Sequence, residues 1–405
     1  MEQVIIIGGG AAGFFAAINI AETNADLKVT ILEKGNKVLQ KVKVSGGGRC
    51  NVSHACFDPG ELVTYYPRGE KELLGPFHTF MTGDMMQWLE ERGVPLKIES
   101  DQRIFPESNS SQTIIDCFVD AAKNAGVEVL LNQNVEGIEK KETQFHLSTK
   151  SKVLLADKLL ICSGGNPKIW KMIKGLGHRI IDPVPSLFTF NVKDQVIQDI
   201  PGISVPNANV SIEGSRFESS GPLLITHWGL SGPAVLKLSS LNAVYLSGKE
   251  YNFTVHINWL GLPFAAVLDH IKTHKKNAPK KTIYLRSIFE EIPKRLWVKL
   301  LQSIEINENQ TWSNISNLQL EKLTEKLTNT VLLSHGKTTF KEEFVTAGGV
   351  DLKEINFKRF ESRIHSNLFF AGEVLNIDGL TGGFNFQNAW TGAYLAAMAI
   401  AGKMP

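Results

Sequence analysis

The chain has 405 residues, 43% of them hydrophobic, which exceeds one simple core and suits two or three domains. Its 43 basic and 41 acidic side chains leave +2, too weak a field to make nucleic acid or an anionic membrane the main partner, so a small-molecule substrate is expected. The four cysteines, Cys50, Cys56, Cys117 and Cys162, form no CxxC pair and no cluster with histidine, which argues against a metal site or a disulfide framework and for reduced, buried thiols.

The first element in chain order is "VIIIGGGAAGFFAAINIA", from Val4. It lacks a basic leader and is broken by glycines, so it reads as strand, turn and helix rather than a signal or membrane segment, and a cytoplasmic protein is expected. The β-branched run Val4 to Ile7 suits a buried parallel strand, and it leads into Gly8, Gly10 and Gly13 at GxGxxG spacing. In this pattern Gly8 permits the turn, Gly10 lets the backbone approach a pyrophosphate, and Gly13 lets helix and strand pack closely. Free N–H groups at the helix start would face the phosphates. The next strand, "KVTILEK" from Lys28 to Lys34, ends in Glu33, twenty residues beyond Gly13, where a carboxylate accepts hydrogen bonds from a ribose diol. An acid there disfavours a 2′-phosphate, so NADP is not expected at this site.

"SGGGRCN", Ser45 to Asn51, follows. Three adjacent glycines cost conformational entropy, and a backbone that must press close to a ligand explains them. Arg49 beside them offsets phosphate charge, holds a substrate carboxylate, or sits in a surface ion pair. Cys50 has no second cysteine two residues on, so it reads as a structural thiol rather than a redox partner of a cofactor. Arg103, in "QRIFPESN", is either a clamp for an anionic substrate or part of a surface turn.

Later, "NVKDQVIQDI", "NANVSIEG" and "NFTVHINW" alternate like half-buried strands, whereas "LWVKLLQSI" and "NLQLEKLTEKLTNTVL" repeat apolar residues at helical spacing. Between them "THWGLSGP" offers His227 before a glycine and an expected helix start at Ser231 with Pro233 near N1. His227 is either a general acid or base or a hydrogen-bonded core histidine. "HKKNAPKK", His274 to Lys281, is the concentrated positive run, and a solvated loop explains it better than an RNA contact. The C-terminal stretch has a strand at Leu368 to Phe370, a Gly372-Glu373 tip, a glycine pair at Gly382 and Gly383, and an alanine-rich helix. A strand tip and a helix N-terminus near each end of the chain suit a ligand as long as FAD. A helix starting around Gly383 to Phe386 would favour negative charge on a reduced isoalloxazine by about 0.3 to 1 kcal/mol, and up to about 2 where partly buried. Asn385 and Gln387 are candidates for its carbonyls.

Taken together, "IIIGGGAAG", "KVSGGGRCN", "LLICSGG", "THWGLSGPAVLKLSS", "VTAGGVDL" and "FFAGEVLNIDGLTGGFNFQNAW" resemble a family of bacterial FAD flavoproteins, the NAD(P)/FAD-dependent oxidoreductases, some described as aminoacetone oxidase or 3-dehydro-bile-acid reductase. The resemblance runs from Met1 to about Gly402, with no distinctive motif in Ser240 to Leu332. It implies an α/β fold: a Rossmann-like, three-layer FAD-binding domain on a mostly parallel sheet, discontinuous over 1–188 and 342–405. The inserted parts would be a β-barrel-like domain, 189–256 with 333–341, and a helical cap, 257–332. It further implies cofactor contacts from Gly8, Gly10, Ala11, Ala12 and Gly13 in the first turn, and from Glu33 and Lys34 at the second strand tip. Ser45, Gly46, Gly47, Gly48, Arg49 and Asn51 follow in the glycine loop, with Val135 after them. Ser163, Gly164 and Gly165 form the next turn, and Gly372, Glu373, Gly382, Gly383, Phe384, Asn385 and Gln387 complete the set. Where many members have Ala-Thr-Gly-Gly, this chain has Cys162 to Gly165, and Ser163 can make the same hydroxyl contact.

The implied activity is hydride transfer between flavin N5 and a small organic substrate, linked to NAD(P)H. A second GxGxxG is absent, since "SGGNP" and "KGLGH" have the wrong spacing, so a nicotinamide binds transiently over the flavin or the substrate is itself the electron donor. The alternatives are an O₂-using amine oxidase and, from another class, an RNA-binding, tRNA-modifying flavoprotein; a flavin with only a structural or sensing role is a third reading.

Overall fold

The computed structural model describes residues 1–337 and 345–403, which separate into two compact units: Met1–Pro183 with Val345–Pro405, and Val184–Phe344. The domain boundary expected at 341 and 342 lies outside the described residues.

The first unit is built on a seven-stranded sheet. The centre of its parallel part is β1 (Glu2–Ile7), flanked by β2 (Leu27–Leu32) and β3 (Lys158–Ile161); beyond β3 lies β4 (Leu368–Phe370), and beyond β2 the strand Glu128–Leu130, all five parallel. Two short antiparallel strands, Glu361–Ser362 and Ile355–Asn356, extend the edge past β4. Val4 and Ile6 of β1 are fully buried, as is Ile31 of β2, which is why Val4 to Ile7 and Val29 to Ile31 read as unbroken β-branched runs and not as alternations. Helix α1 (Ala11–Thr23) buries every residue from Ala12 to Ile20, and α2 (Phe384–Ile400) is almost as thoroughly buried. Alanines on both let them approach closely, so each is covered on more than one face and neither shows an amphipathic stripe. Small antiparallel sheets complete the unit, one of them formed by Ser53–His54, Arg103–Pro106 and Leu96–Ile98.

The second unit is a closed, antiparallel six-stranded barrel. Its strands run in the order Phe190–Val192, Gly229–Ser231, Glu218–Ile225, Ser204–Ile212, Asn252–Asn258 and Thr330–Lys337. Closure removes the exposed strand edges an open sheet would leave. The helices Phe264–Asn277, Lys294–Gln302 and Asn317–Thr328 contribute Trp297, Leu300 and Leu323 to the same hydrophobic core as barrel residues Val205, Ile225 and Val255. Ser231 ends a barrel strand and the following helix starts at Pro233, two residues later than expected, because Gly232 with φ +92° serves as the cap. Among the described residues no helix is long and apolar enough to cross a membrane.

Candidate functional site

The turn after β1 separates glycines that the protein needs from one that it leaves open. Gly8, at φ +114°, donates its N–H to Leu32 O at 2.9 Å, and a Cβ there would lie 2.4 Å from Cys162 O. A Cβ on Gly13 would lie 2.0 Å from Gly8 O. Gly10 differs: a Cβ there would meet no atom within 4 Å. Gly10 caps α1 without a side chain, and the first helical bond runs from Phe14 N–H to Gly10 O at 3.0 Å. The N–H groups of Ala11, Ala12 and Gly13 therefore lie outside the helical ladder, beside open space at the positive end of the helix.

The Glu33 carboxylate is held at the tip of β2 by two backbone donors, Gly9 N–H at 2.9 Å and Gly35 N–H at 2.8 Å. Each of its oxygens keeps a further lone pair for a hydroxyl. Lys34 beside it is exposed. Val135 is buried at the start of the strand Val135–Lys141, two residues beyond Gln133, whose N–H bonds Glu33 O at 2.8 Å.

The glycine loop interrupts the helix Gln40–Gly48, with Gly46, Gly47 and Gly48 at φ +56°, +68° and +83°. A Cβ on Gly47 or Gly48 would meet nothing within 4 Å, whereas on Gly46 it would crowd Asn51 N and the Phe105 ring, both at 2.9 Å. Ser45 is folded inward, donating to Val42 O at 2.8 Å. At the loop's end the buried Oδ1 of Asn51 has no hydrogen-bond partner in the protein. The same holds for Asn376 in the loop before α2 and for Asn388 in α2. Buried amide oxygens rarely stay unpaired, so these mark places where a polar ligand fits. Cys50 is buried, and burial pushes its thiol up to about 12, which makes it inert as a nucleophile.

Arg49 and Arg103 fall in one cluster. Arg49 donates to Glu99 at 2.6 Å, and its guanidinium lies 3.9 Å from the centre of the Phe105 ring; Arg103 lies 5.2 Å from the same centre and donates to Asp101 at 2.7 Å. Both charges are already met by carboxylates.

At the third turn Ser163 donates to Gly164 O at 3.3 Å, and Gly164 takes φ +61°. A Cβ on Gly165 would lie 2.8 Å from Thr346 Oγ1. Glu373 accepts from Thr346 N–H at 3.0 Å and pairs with Lys41 of the helix that enters the glycine loop. A Cβ on Gly372 would lie 3.4 Å from Ala12 and 3.7 Å from Ala389, so the tip of β4 sits between the first turn of α1 and the second turn of α2. The two helix N-termini thus open on the same edge of the sheet.

Gly382 and Gly383 lead into α2 at φ +132° and +102°, and a Cβ on Gly383 would lie 2.6 Å from Ser53 O. Asn385 does not present its amide outward: it accepts from Gly379 N–H and donates to Gly379 O, each at 2.9 Å. Gln387 is fully buried, accepting from Ser53 Oγ at 2.7 Å and donating to Thr391 Oγ1 at 3.1 Å. Both set the loop and helix start, which leaves backbone N–H groups to face a ligand. Several residues here were not singled out from the sequence. Phe384 stacks on Tyr65 at 4.3 Å with His54 4.6 Å away, and His54 Nδ1 lies 3.3 Å from Gly382 O. Tyr66 donates to Phe384 O at 2.6 Å, and Arg68 forms a two-point ion pair with the fully buried Asp378. "TYYPRGE" holds most of these side chains, but its partners lie some three hundred residues on.

His227 belongs to the second unit, in the turn between Glu218–Ile225 and Gly229–Ser231. It is exposed, so it is not a core histidine, and it lines a cleft of about 690 Å³ with Asp194, Gln198 and Asp199.

This turn, strand tip and glycine loop match the requirements of a long dinucleotide: open space over Gly10, a fixed carboxylate for a ribose, and unpaired buried amide oxygens on the surrounding loops. A profile of one family, described as HI0933-like protein Rossmann domain, matches residues 2–399. The chain is 30% identical to the ribosomal RNA dihydrouridine synthase of Haemophilus influenzae, over 98% of each chain. It is 29% identical to the ribosomal RNA dihydrouridine synthase of Escherichia coli, over 98% of this chain and 97% of that one. It is 27% identical to the 3-dehydro-bile acid delta(4,6)-reductase of Clostridium scindens, over 99% of each.

Proposed function

Because this chain belongs to the HI0933-like Rossmann family, a family of FAD-binding oxidoreductases, we propose that it is an FAD-dependent reductase of a carbon–carbon double bond conjugated to a carbonyl, and that its substrate is a uridine of ribosomal RNA. The observation that carries the reading is full-length similarity to relatives whose named reactions share one chemistry. Dihydrouridine is uridine with two hydrogens added across C5=C6, a bond conjugated to the C4 carbonyl, and the delta(4,6) bonds of a 3-dehydro steroid are conjugated to a ketone in the same way. For uridine and for the delta-4 bond a hydride adds to the far carbon of the double bond and a proton to the carbon beside the carbonyl, and for the delta-6 bond the same polarisation is passed on through one further double bond. The names of these relatives point to reduction, which favours a nicotinamide electron donor over amine oxidation with O₂.

FAD, when bound, would supply the hydride. The chain's own residues would bind and orient. The N–H groups of Ala11, Ala12 and Gly13 would face the pyrophosphate, Glu33 a ribose, and Gly47 and Gly48 would let the backbone come close. The start of α2 would place partial positive charge beside the ring system. His54, packed on Phe384 beside the glycine pair, is the candidate to carry the proton. A small enone is the second reading, favoured by the relative from Clostridium scindens.

The test is an anaerobic titration of the purified protein with NADH and then NADPH, following flavin absorbance near about 450 nm. The reduced protein is then mixed with deproteinised ribosomal RNA or with a steroid enone. Bleaching by a nicotinamide, followed by recovery of the band and dihydrouridine in the RNA digest, is expected. Recovery only with the enone would move the substrate to the second reading. A protein without a flavin band would end both.

A further inference from the structure

We propose that the second unit carries a docking surface for the phosphate backbone of RNA, on the helix Phe264–Asn277 and the segment that follows it. It is centred on Lys272, Lys276, Lys280, Lys281 and Arg286. The inference deepens the uridine reading above and rests on it.

The first support is charge density. From Asp269 to Lys299 the chain carries nine lysines and arginines against three carboxylates, Asp269, Glu290 and Glu291. The five named cations are all exposed. The second support is that these charges are not neutralised. Every ion pair found among the described residues lies in the first unit, where arginines such as Arg49, Arg68 and Arg92 are each matched by a carboxylate. A surface kept only for solubility mixes its signs. Here like charges gather, and they act on one another: His274 is held below its usual pKa by burial and then by the positive charges of His270, Lys281 and Arg286.

The third support is rigidity. Lys272 and Lys276 are one turn apart on the same helix face. The segment after the helix is tied to the neighbouring loop by backbone bonds: Ser313 N–H to Pro279 O at 2.8 Å, Trp312 N–H to Lys281 O at 3.1 Å and Ile283 N–H to Gln310 O at 3.0 Å. The cations therefore project from a fixed frame, which lowers the entropy lost when a polyanion binds. Favourable placement at a helix C-terminus accounts for Lys275 and Lys276 but not for Lys280, Lys281 and Arg286 beyond it. A polyanion with regularly spaced charge fits this set, and such contacts position a strand without reading its sequence.

The experiment is filter binding of deproteinised ribosomal RNA to the flavin-loaded full chain across a series of salt concentrations. The wild type is compared with a K272E/K276E/K280E/K281E variant and with a control, K150E/K152E/K168E/K171E, that changes four exposed lysines of the first unit. Retention of the flavin band shows that each variant is folded, and Lys→Gln versions replace any that lose it. The surface variant is expected to bind at least about ten-fold more weakly and to flatten the slope of log K against log salt by about 3, with the control close to wild type. Equal losses in both variants, or none in the first, would overturn the surface. The failures are distinguishable: tight, salt-dependent binding that never yields dihydrouridine sinks the substrate assignment, whereas dihydrouridine formation untouched by the surface variant sinks the surface.

Discussion

Gly10 and Gly13 are the same residue type in the same turn, yet their surroundings assign them opposite duties. A side chain at Gly13 would collide with Gly8 O at 2.0 Å, a backbone atom that cannot step aside. Gly13→Ala is therefore expected to destabilise the first unit by about 3 kcal/mol or more, with loss of soluble protein. Gly10 has an extended backbone, φ −93° and ψ −168°, that alanine adopts freely, and its Cβ would point into open space. Gly10→Ala should leave the Tm of the flavin-free protein unchanged while lowering the flavin-to-protein ratio at least ~10-fold, since a methyl group would occupy the pyrophosphate's approach. Thermal melts and flavin absorbance of the two variants check the contrast. Full flavin content in Gly10→Ala would show that the open space is not where the dinucleotide lies. The GxGxxG spacing already gives Gly13 the packing duty and Gly10 the approach to a ligand; what it does not contain is the distances, 2.0 Å at one and nothing within 4 Å at the other, that turn the contrast into a measurable one.

At the scale of elements, the start of α2 is set by a clamp rather than by its own sequence. Asp378 is fully buried and paired with Arg68, Asn385 closes on Gly379 from both sides, and Tyr66 holds Phe384 O. These bonds define where the helix N-terminus faces. Asp378→Asn leaves the Arg68 charge, only 16% exposed, without its counter-charge. A loss of about 3 to 5 kcal/mol is expected, with weaker flavin retention, whereas an Arg68→Met/Asp378→Leu double variant should recover much of the stability. Chemical denaturation of the single and double variants checks it; equal instability in both would mean that shape and not charge fixes the loop. The strand, turn and helix at each end of the chain were legible because their signals are local. The clamp was not, because its halves are 310 residues apart, and one sequence does not show which distant residues meet. The barrel was expected only through the family resemblance and not from the strands themselves: alternation tells which face of a strand is buried, not which strands are neighbours.

For the whole molecule, a sum such as the net charge of +2 averages over local runs such as His274 to Lys281, so it speaks to the main field and not to any one surface. Acid stability is likewise a sum of opposed local terms, and here its sign can be worked out. His178 is buried, with Nδ1 2.8 Å from Glu354 and Nε2 2.9 Å from Ser362 Oγ, and burial lowers its pKa despite the pull of Glu354. In the second unit His274 is lowered too. Below about pH 6.5 the unfolded chain takes up protons that the folded one resists, so stability falls as pH drops through that value and keeps falling until the folded pKa is reached. Carboxylates act elsewhere. Asp157, lowered chiefly by its hydrogen bonds from Gln144 and Gln3 N–H, adds stability that is lost only below the usual carboxylate range, about pH 4. Melting curves from about pH 7.5 to about pH 5.5 should therefore show a declining Tm, and a His178→Asn variant, less stable at the upper pH, should decline less steeply. An unchanged slope in that variant would remove His178 as a source of the acid sensitivity and leave the second unit's histidine to account for it.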